Sequence, residues 1–211
     1  MRHRVLALAM TGCIAACGLN AGAHYPLPEG LRATVNVNGV LYDMKVTKVD
    51  GQIAHLTYYN GDAFANHRRS FRGLFVTEVE ADGLHLVHHL AAEDLAPLFP
   101  LAVGKQLSLT SDIEVKQSGY RGRNRIHFKV EDIGEVSVGD ERFEVYIVRI
   151  EQEREIDGTA VTTVRTAYYA PALGLSLRTV DEEGSRTYYS RVMSLERPRA
   201  GRRNALGTMV I

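Results

Sequence analysis

Residues 143–150 read Phe143-Glu144-Val145-Tyr146-Ile147-Val148-Arg149-Ile150. In an extended chain Phe143, Val145 and Ile147 point one way, and Tyr146, Val148 and Ile150 point the other. Both faces are apolar. Such a strand belongs inside a sheet that is covered on both sides, not on a wet edge. Its β-branched and aromatic residues suit a pleated backbone better than a helix.

Outward from this run the pattern repeats. Asn38-Gly39, Asp50-Gly51, Asn60-Gly61, Asp82-Gly83, Gly139-Asp140, Asp157-Gly158 and Glu183-Gly184 punctuate the chain at short spacing. Asn-Gly and Asp-Gly tolerate the positive φ that two-residue hairpins require. Val40–Val46, Gln52–Tyr59, Leu74–Glu80, Leu84–Leu90, Arg142–Ile150, Val161–Tyr169, Leu175–Val180 and Thr187–Leu195 lie between them. About ten strands are expected, mostly pairing with their sequence neighbours. Helix is confined to Ala91–Ala96, where Pro97 and Pro100 stop it. The fold class is therefore all-β with minor α. Residues 24–196 are expected to form one domain, a curved antiparallel β-meander making a half-barrel or open barrel with one short helical segment.

Three segments resemble a known family. They are Leu98-Phe99-Pro100-Leu101-Ala102-Val103-Gly104-Lys105, Val136-Ser137-Val138-Gly139-Asp140-Glu141-Arg142-Phe143-Glu144 and Tyr168-Tyr169-Ala170-Pro171-Ala172-Leu173-Gly174-Leu175. In that order they resemble the TapB-like exported β-sheet proteins, a type of unknown function often found as bacterial lipoproteins. The resemblance spans residues 31–196. It implies a curved antiparallel sheet and brings no catalytic residues with it. Tyr168 stands where the family commonly has Trp, and two extra residues separate Gly139 from Phe143.

The amino terminus reads as an address. Arg2, His3 and Arg4 precede an apolar or small stretch from Val5 to Ala16, too short to span a bilayer but right for a secretory signal. Residues 1–23 hold two processing sites. Ile14-Ala15-Ala16-Cys17 resembles the bacterial lipobox, which would make Cys17 a lipidated first residue. Ala21-Gly22-Ala23 offers ordinary cleavage before His24. The lipobox is the preferred reading. It places the protein in the periplasm, on the outer membrane, because no Asp follows Cys17.

The whole chain of 211 residues has no net charge, which argues against nucleic-acid binding. That balance hides an asymmetry. Residues 17–196 carry 19 basic residues against 25 acidic, a net −6, while residues 197–211 carry four arginines and no acid. This basic tail lacks periodicity and is expected to be flexible. Both cysteines, Cys13 and Cys17, fall within the leader region, so the body has no disulfide and no cysteine-based zinc site.

Searching for chemistry gives little. Gly-x-Ser-x-Gly, His-Glu-x-x-His and the phosphate-binding glycine loops are absent from the sequence. His85 and His89 share one face of a strand about 13–14 Å apart, while His88 lies on the other. One strand cannot gather them around an ion, and His55 or His67 would have to help. Glu151, Glu153 and Glu155 alternate as a solvated rim. Arg121, Arg123 and Arg125 alternate likewise, as cross-strand partners for acids or as a patch for anionic groups. Arg68, Arg69 and Arg72 make a second basic segment. Tyr58-Tyr59, Tyr168-Tyr169 and Tyr188-Tyr189 should each send one ring inward and one outward.

No catalytic, metal or cofactor site is expected from these patterns. The sequence points to a non-catalytic envelope lipoprotein held to a membrane through Cys17, with a curved sheet that binds a ligand or an envelope protein. Two alternatives stay open. One is a soluble periplasmic carrier of an apolar ligand. The other is an envelope hydrolase acting on sugar or lipid, with acids such as Glu93 or Glu151.

Overall fold

The computed structural model describes residues 27–156 and 159–198. The leader with Cys17, the Asp157-Gly158 turn and the tail from residue 199 onward lie outside the described residues. Twelve strands follow in chain order: β1 (Arg32–Val37), β2 (Val40–Asp50), β3 (Ile53–Asn60), β4 (Ala63–Phe71), β5 (Phe75–Ala81), β6 (Leu84–His89), β7 (Gln106–Val115), β8 (Tyr120–Val138), β9 (Glu141–Ile156), β10 (Thr159–Ala170), β11 (Leu175–Glu183) and β12 (Arg186–Glu196). One helical turn, α1 (Ala92–Leu95), runs into a 3-10 turn at Ala96–Leu98 between β6 and β7. The Asp94 carboxylate accepts a hydrogen bond from the Ala91 N–H at 3.1 Å and fixes the start of α1.

Each strand pairs antiparallel with its sequence neighbours. The hairpin signals act as their chemistry dictates: Asn38 and Gly39 both have positive φ, as do Asp82 and Gly83. The count exceeds ten because β4 and β8 carry His, Arg and Lys along their outer faces and β7 alternates Leu107 and Leu109 with Ser and Thr, so none of the three stands out as an apolar run.

The half-barrel or open barrel expected from the sequence is corrected here. β1 pairs with β12, from Arg32 opposite Glu196 to Val37 opposite Ser190, and closes the sheet into a twelve-stranded barrel. An open sheet would leave two rows of unpaired N–H and C=O groups, and closure joins each row to the other. This ladder links the two ends of the domain, a pairing that strand-by-strand periodicity does not register.

The barrel wall is wet outside. His55, Arg69, Glu78, Glu80, Arg121, Arg125 and Glu153 alternate with inward residues and are half-buried or exposed. A barrel crossing a bilayer would show an apolar band there. The core instead lies inside, in two clusters. One gathers Phe71, Phe75, Ile126, Phe128, Val148, Ile150 and Tyr169 around Leu95 and Leu98 of the helical segment, which plugs one end. The other joins Leu31, Val35, Met44 and Leu177 to Phe143 and Val145.

β9 shows why its sequence was apolar twice over. Tyr146, Val148 and Ile150 belong to the plugged core, while Phe143 and Val145 belong to the second cluster. The register of β8 against β9 shifts between Val130 and Asp132. Beyond this bulge the buried face of the hairpin changes sides. Its tip leans on the rest of the barrel, with Arg191 donating to the Ser137 carbonyl at 3.3 Å and Arg197 making a bidentate pair with Glu141.

The plugged end is drawn together by two turns. The Ser176 N–H and hydroxyl both donate to the Gly73 carbonyl, at 3.2 and 3.1 Å. Gly73 has a φ of +64°, and a Cβ there would stand 2.0 Å from the Gly174 carbonyl oxygen. Gly83 has a φ of +79° but faces open space. Gly73→Ala is therefore expected to cost about 2–4 kcal/mol in urea unfolding, and Gly83→Ala about 1 kcal/mol. Equal losses would contradict the close approach of the two turns.

Candidate functional site

The inward faces of the strands change character along the barrel. Near the helical plug they are apolar. Towards the end that carries the β1–β2, β3–β4 and β11–β12 turns, they become polar. On β9 the inward series Tyr146, Val148, Ile150 continues as Gln152 and Arg154, and β10 contributes Thr163 and Arg165. β4 sends Asn66, Arg68 and Ser70 inward, β6 sends His88, and β8 sends Asn124. Two adjoining cavities of about 230 and 150 Å³ lie among them and share Arg68, Val76 and Arg165 in their linings.

The charges inside do not balance. Arg165 holds Asp181 in a bidentate pair, with Nη2 to Oδ2 at 3.0 Å. Arg68 donates from Nε to Asn66 Oδ1 at 3.0 Å, and its guanidinium lies 4.7 Å above the Tyr58 ring. Arg154 donates from Nη2 to Thr163 Oγ1 at 3.2 Å, and its buried Nε has no hydrogen-bond partner among the described residues. Burial pulls the Arg154 guanidinium below its usual range; Glu183 opposes this from a distance and the charge of Arg165 adds to it. Among the residues that line the two cavities, the one carboxylate is Asp181.

His88 sits beside this cluster. Its ring meets Phe75 edge-on, with centroids 5.5 Å apart, and its Nδ1 lies 3.4 Å from the Asn124 side-chain amide. That amide is wholly buried and also lies 3.0 Å from Gln152 Oε1. Desolvation, helped by the charge of Arg154, lowers the His88 pKa to about 4. The ring is thus neutral at neutral pH, and the positive charge of the lumen belongs to the arginines.

The candidates read from sequence are dispersed. His85 pairs with Glu78 at 2.8 Å and His89 with Glu114 at 3.0 Å, both on the outer wall, away from His88. The His55 and His67 rings lie tilted to each other with centroids 5.6 Å apart, and His55 Nε2 stands 3.4 Å from Asp50 without hydrogen-bond alignment. Among the described residues no group of three or more His, Cys, Asp or Glu is placed to hold a metal. Glu151 is taken by Arg149 and Glu153 by Arg125. Glu155 offers its backbone carbonyl to the Tyr120 hydroxyl. Glu93 is exposed on α1.

The basic segments divide too. Arg68 enters the lumen, Arg69 joins Glu78, and Arg72 caps the Phe99 ring at 4.4 Å while donating to Gln52 at 2.7 Å. Arg121, Arg123 and Arg125 line a depression of about 960 Å³ on the outside. Acids already face them there: Glu114 near Arg121, Asp112 opposite Arg123 and Glu153 on Arg125. Tyr58 and Tyr169 turn inward as expected, whereas Tyr188 and Tyr189 are both exposed.

The residues that sequence reasoning missed are Arg154, Arg165, Asp181, Asn124 and Gln152. A signal existed. Gln152 and Arg154 continue the inward parity of an apolar strand, which marks them as lumen groups once the sheet is closed.

No family model and no curated protein sequence matches the chain. The TapB-like resemblance therefore stands on its residues alone. Solved structures do match. The hypothetical lipoprotein YmcC from Escherichia coli K12 superposes with a TM-score of 0.54 at 9% identity, over 82% of this chain and 86% of that one. A Bacteroides fragilis protein with a YmcC-like fold gives 0.47 at 12% identity, over 82% and 99%. A Parabacteroides distasonis protein assigned as a lipoprotein gives 0.45 at 11% identity, over 82% and 97%. At such identities the YmcC match shows a shared fold.

His88 gives the lumen a pH signature. The unfolded ring takes up a proton near pH 6.5 and the folded ring near pH 4. Between these values the unfolded state binds more protons, so stability falls as the pH is lowered. Across that window the wild type is expected to lose about 3 kcal/mol more than His88→Gln, read from urea midpoints at each pH. Parallel profiles would show that His88 is not desolvated.

Proposed function

We propose that the protein is an exported, non-catalytic envelope lipoprotein, anchored through Cys17, whose barrel lumen holds a small ligand. The observation that carries this reading is the polar half of the lumen, where adjoining cavities are lined by side chains whose hydrogen-bonding and charge are incompletely matched from within. A barrel built for rigidity alone would fill this space with apolar groups.

Export and anchoring are supported by the sequence of residues 1–23, with the lipobox-like Ile14-Ala15-Ala16-Cys17. The fold shared with the hypothetical lipoprotein YmcC is consistent with this location. Acyl chains on Cys17 would hold the barrel at the membrane surface, each buried methylene contributing about 0.8 kcal/mol. The water-compatible outer wall suits a domain standing beside the bilayer instead of within it.

The two alternatives fare less well. A purely apolar cargo would meet Arg68, Arg154 and Arg165. A hydrolase needs converging carboxylates or a nucleophile with its base, and the lumen carboxylate Asp181 is committed to Arg165.

Detergent-phase partitioning tests the anchor. The wild type should enter the detergent phase and incorporate labelled palmitate, and Cys17→Ser should do neither. Identical behaviour of the two proteins would overturn the anchor. Native mass spectrometry of gently purified protein should show an added small mass, and a bare chain in repeated preparations would count against a ligand-holding lumen.

A further inference from the structure

We propose that the lumen cavity bounded by Arg68, Arg154 and Arg165 is a binding site for a compact anion, a carboxylate or phosphate ester with a small apolar body. The proposal deepens the ligand-holding reading and rests on it.

Charge is the first argument. Three guanidiniums and no carboxylate line this cavity, and Asp181, which lines the adjoining one, is paired with Arg165. Among the described residues, neither Arg68 nor Arg154 has a carboxylate within ion-pair distance. A half-buried cation without a counter-charge has lost part of its hydration with nothing to offset it. An anion entering between Arg68 and Arg154 removes that penalty, and a guanidinium presents the planar pair of donors that carboxylate and phosphate oxygens accept.

Hydrogen bonding is the second. The Arg154 Nε is a buried donor left without an acceptor. Such a donor costs about 1–3 kcal/mol when unmet. Arg68 is held from behind by Asn66 and Tyr58, and Arg154 by Thr163, so the forks are already oriented before a ligand arrives.

Shape is the third. Phe75, Val76, Val79 and Leu86 form the apolar part of the same lining. A cavity of about 150 Å³ accommodates benzene, so the 230 Å³ here suits a molecule of roughly nine non-hydrogen atoms. This is too small for a full lipid chain. The arginines themselves are half-buried, and solvent reaches them. The outer depression at Arg121, Arg123 and Arg125 lacks this combination, because acids already face its cations.

Calorimetric titration of the processed full-length protein with four probes tests the assignment: phenyl phosphate, benzoate, inorganic phosphate and benzyl alcohol. One aromatic anion should bind per barrel, inorganic phosphate should bind more weakly, and benzyl alcohol should not bind. The tighter of phenyl phosphate and benzoate names the head group. Arg154→Met should weaken that binding at least 10-fold while circular dichroism and the thermal midpoint show a folded barrel. Asp181→Asn, which frees Arg165, should strengthen it several-fold, a gain that mere loosening of the structure would not produce. Unchanged affinity in Arg154→Met overturns the site. Benzyl alcohol binding as tightly as the anions overturns the anion assignment and leaves a ligand-holding lumen standing. Inorganic phosphate binding as tightly as phenyl phosphate overturns the apolar half of the assignment. If none of the four binds and native mass spectrometry shows a bare chain, both this inference and the reading beneath it fail.

Discussion

The ladder between β1 and β12 is the constraint on which the rest of the molecule depends. By joining Arg32–Val37 to Ser190–Glu196 it turns a meander into a tube. Once the sheet is closed, every inward side chain is cut off from bulk water to some degree, and each must be either apolar or partnered. An arginine on the concave face of an open sheet would simply be solvated. Inside a closed barrel, the same arginine sets up a field and seeks a counter-charge.

The two halves of the interior answer this constraint differently. The plugged half follows the apolar solution, with Phe71, Phe128, Ile150 and Tyr169 packed around Leu95 and Leu98, all close to fully buried. The Gly73–Gly174 approach and the paired hydrogen bonds from Ser176 pin the turns at that end. The other half keeps space and charge. This division lets one end supply stability while the other keeps the room and charge that the proposed ligand would use. The outer wall takes no part, because its charges are largely matched in cross-strand pairs such as Arg69 with Glu78 and Arg125 with Glu153. Surface pairs of this kind contribute little to stability, but they leave little unmatched charge to attract a ligand.

Much of the wall was legible in the sequence. Asn38-Gly39 and Asp82-Gly83 marked hairpins through the positive φ their residues accept, and Phe143–Ile150 marked a strand, although its two apolar faces reflect a switch of the buried face at the β8 bulge and not a cover on both sides. Closure was not legible, because it depends on a pairing between the first and last strands and no local pattern encodes a partner so distant. β4 and β8 were obscured by their outer cations. The site was hidden for the same reason as the closure. Arg154 and Arg165 sit on the inward parity of their strands, but an inward cation becomes unusual only when the sheet is known to have no open side. Tyr188 keeps the inward parity, opposite Asp181, and Tyr189 the outward one, yet both are exposed because the β11–β12 hairpin stands at the rim.

Residue-resolved hydrogen exchange on the β1 and β12 amides tests the closed barrel most directly. In a closed barrel β1 is hydrogen-bonded on both sides, to β2 and to β12, so successive amides from Arg32 to Val37 are protected, while β12 beyond Arg191 is held through its β1 side. An open sheet would leave the β12 side of β1 unpaired, and alternate β1 amides would exchange rapidly. Continuous protection is the result this account predicts, and alternating protection would contradict it.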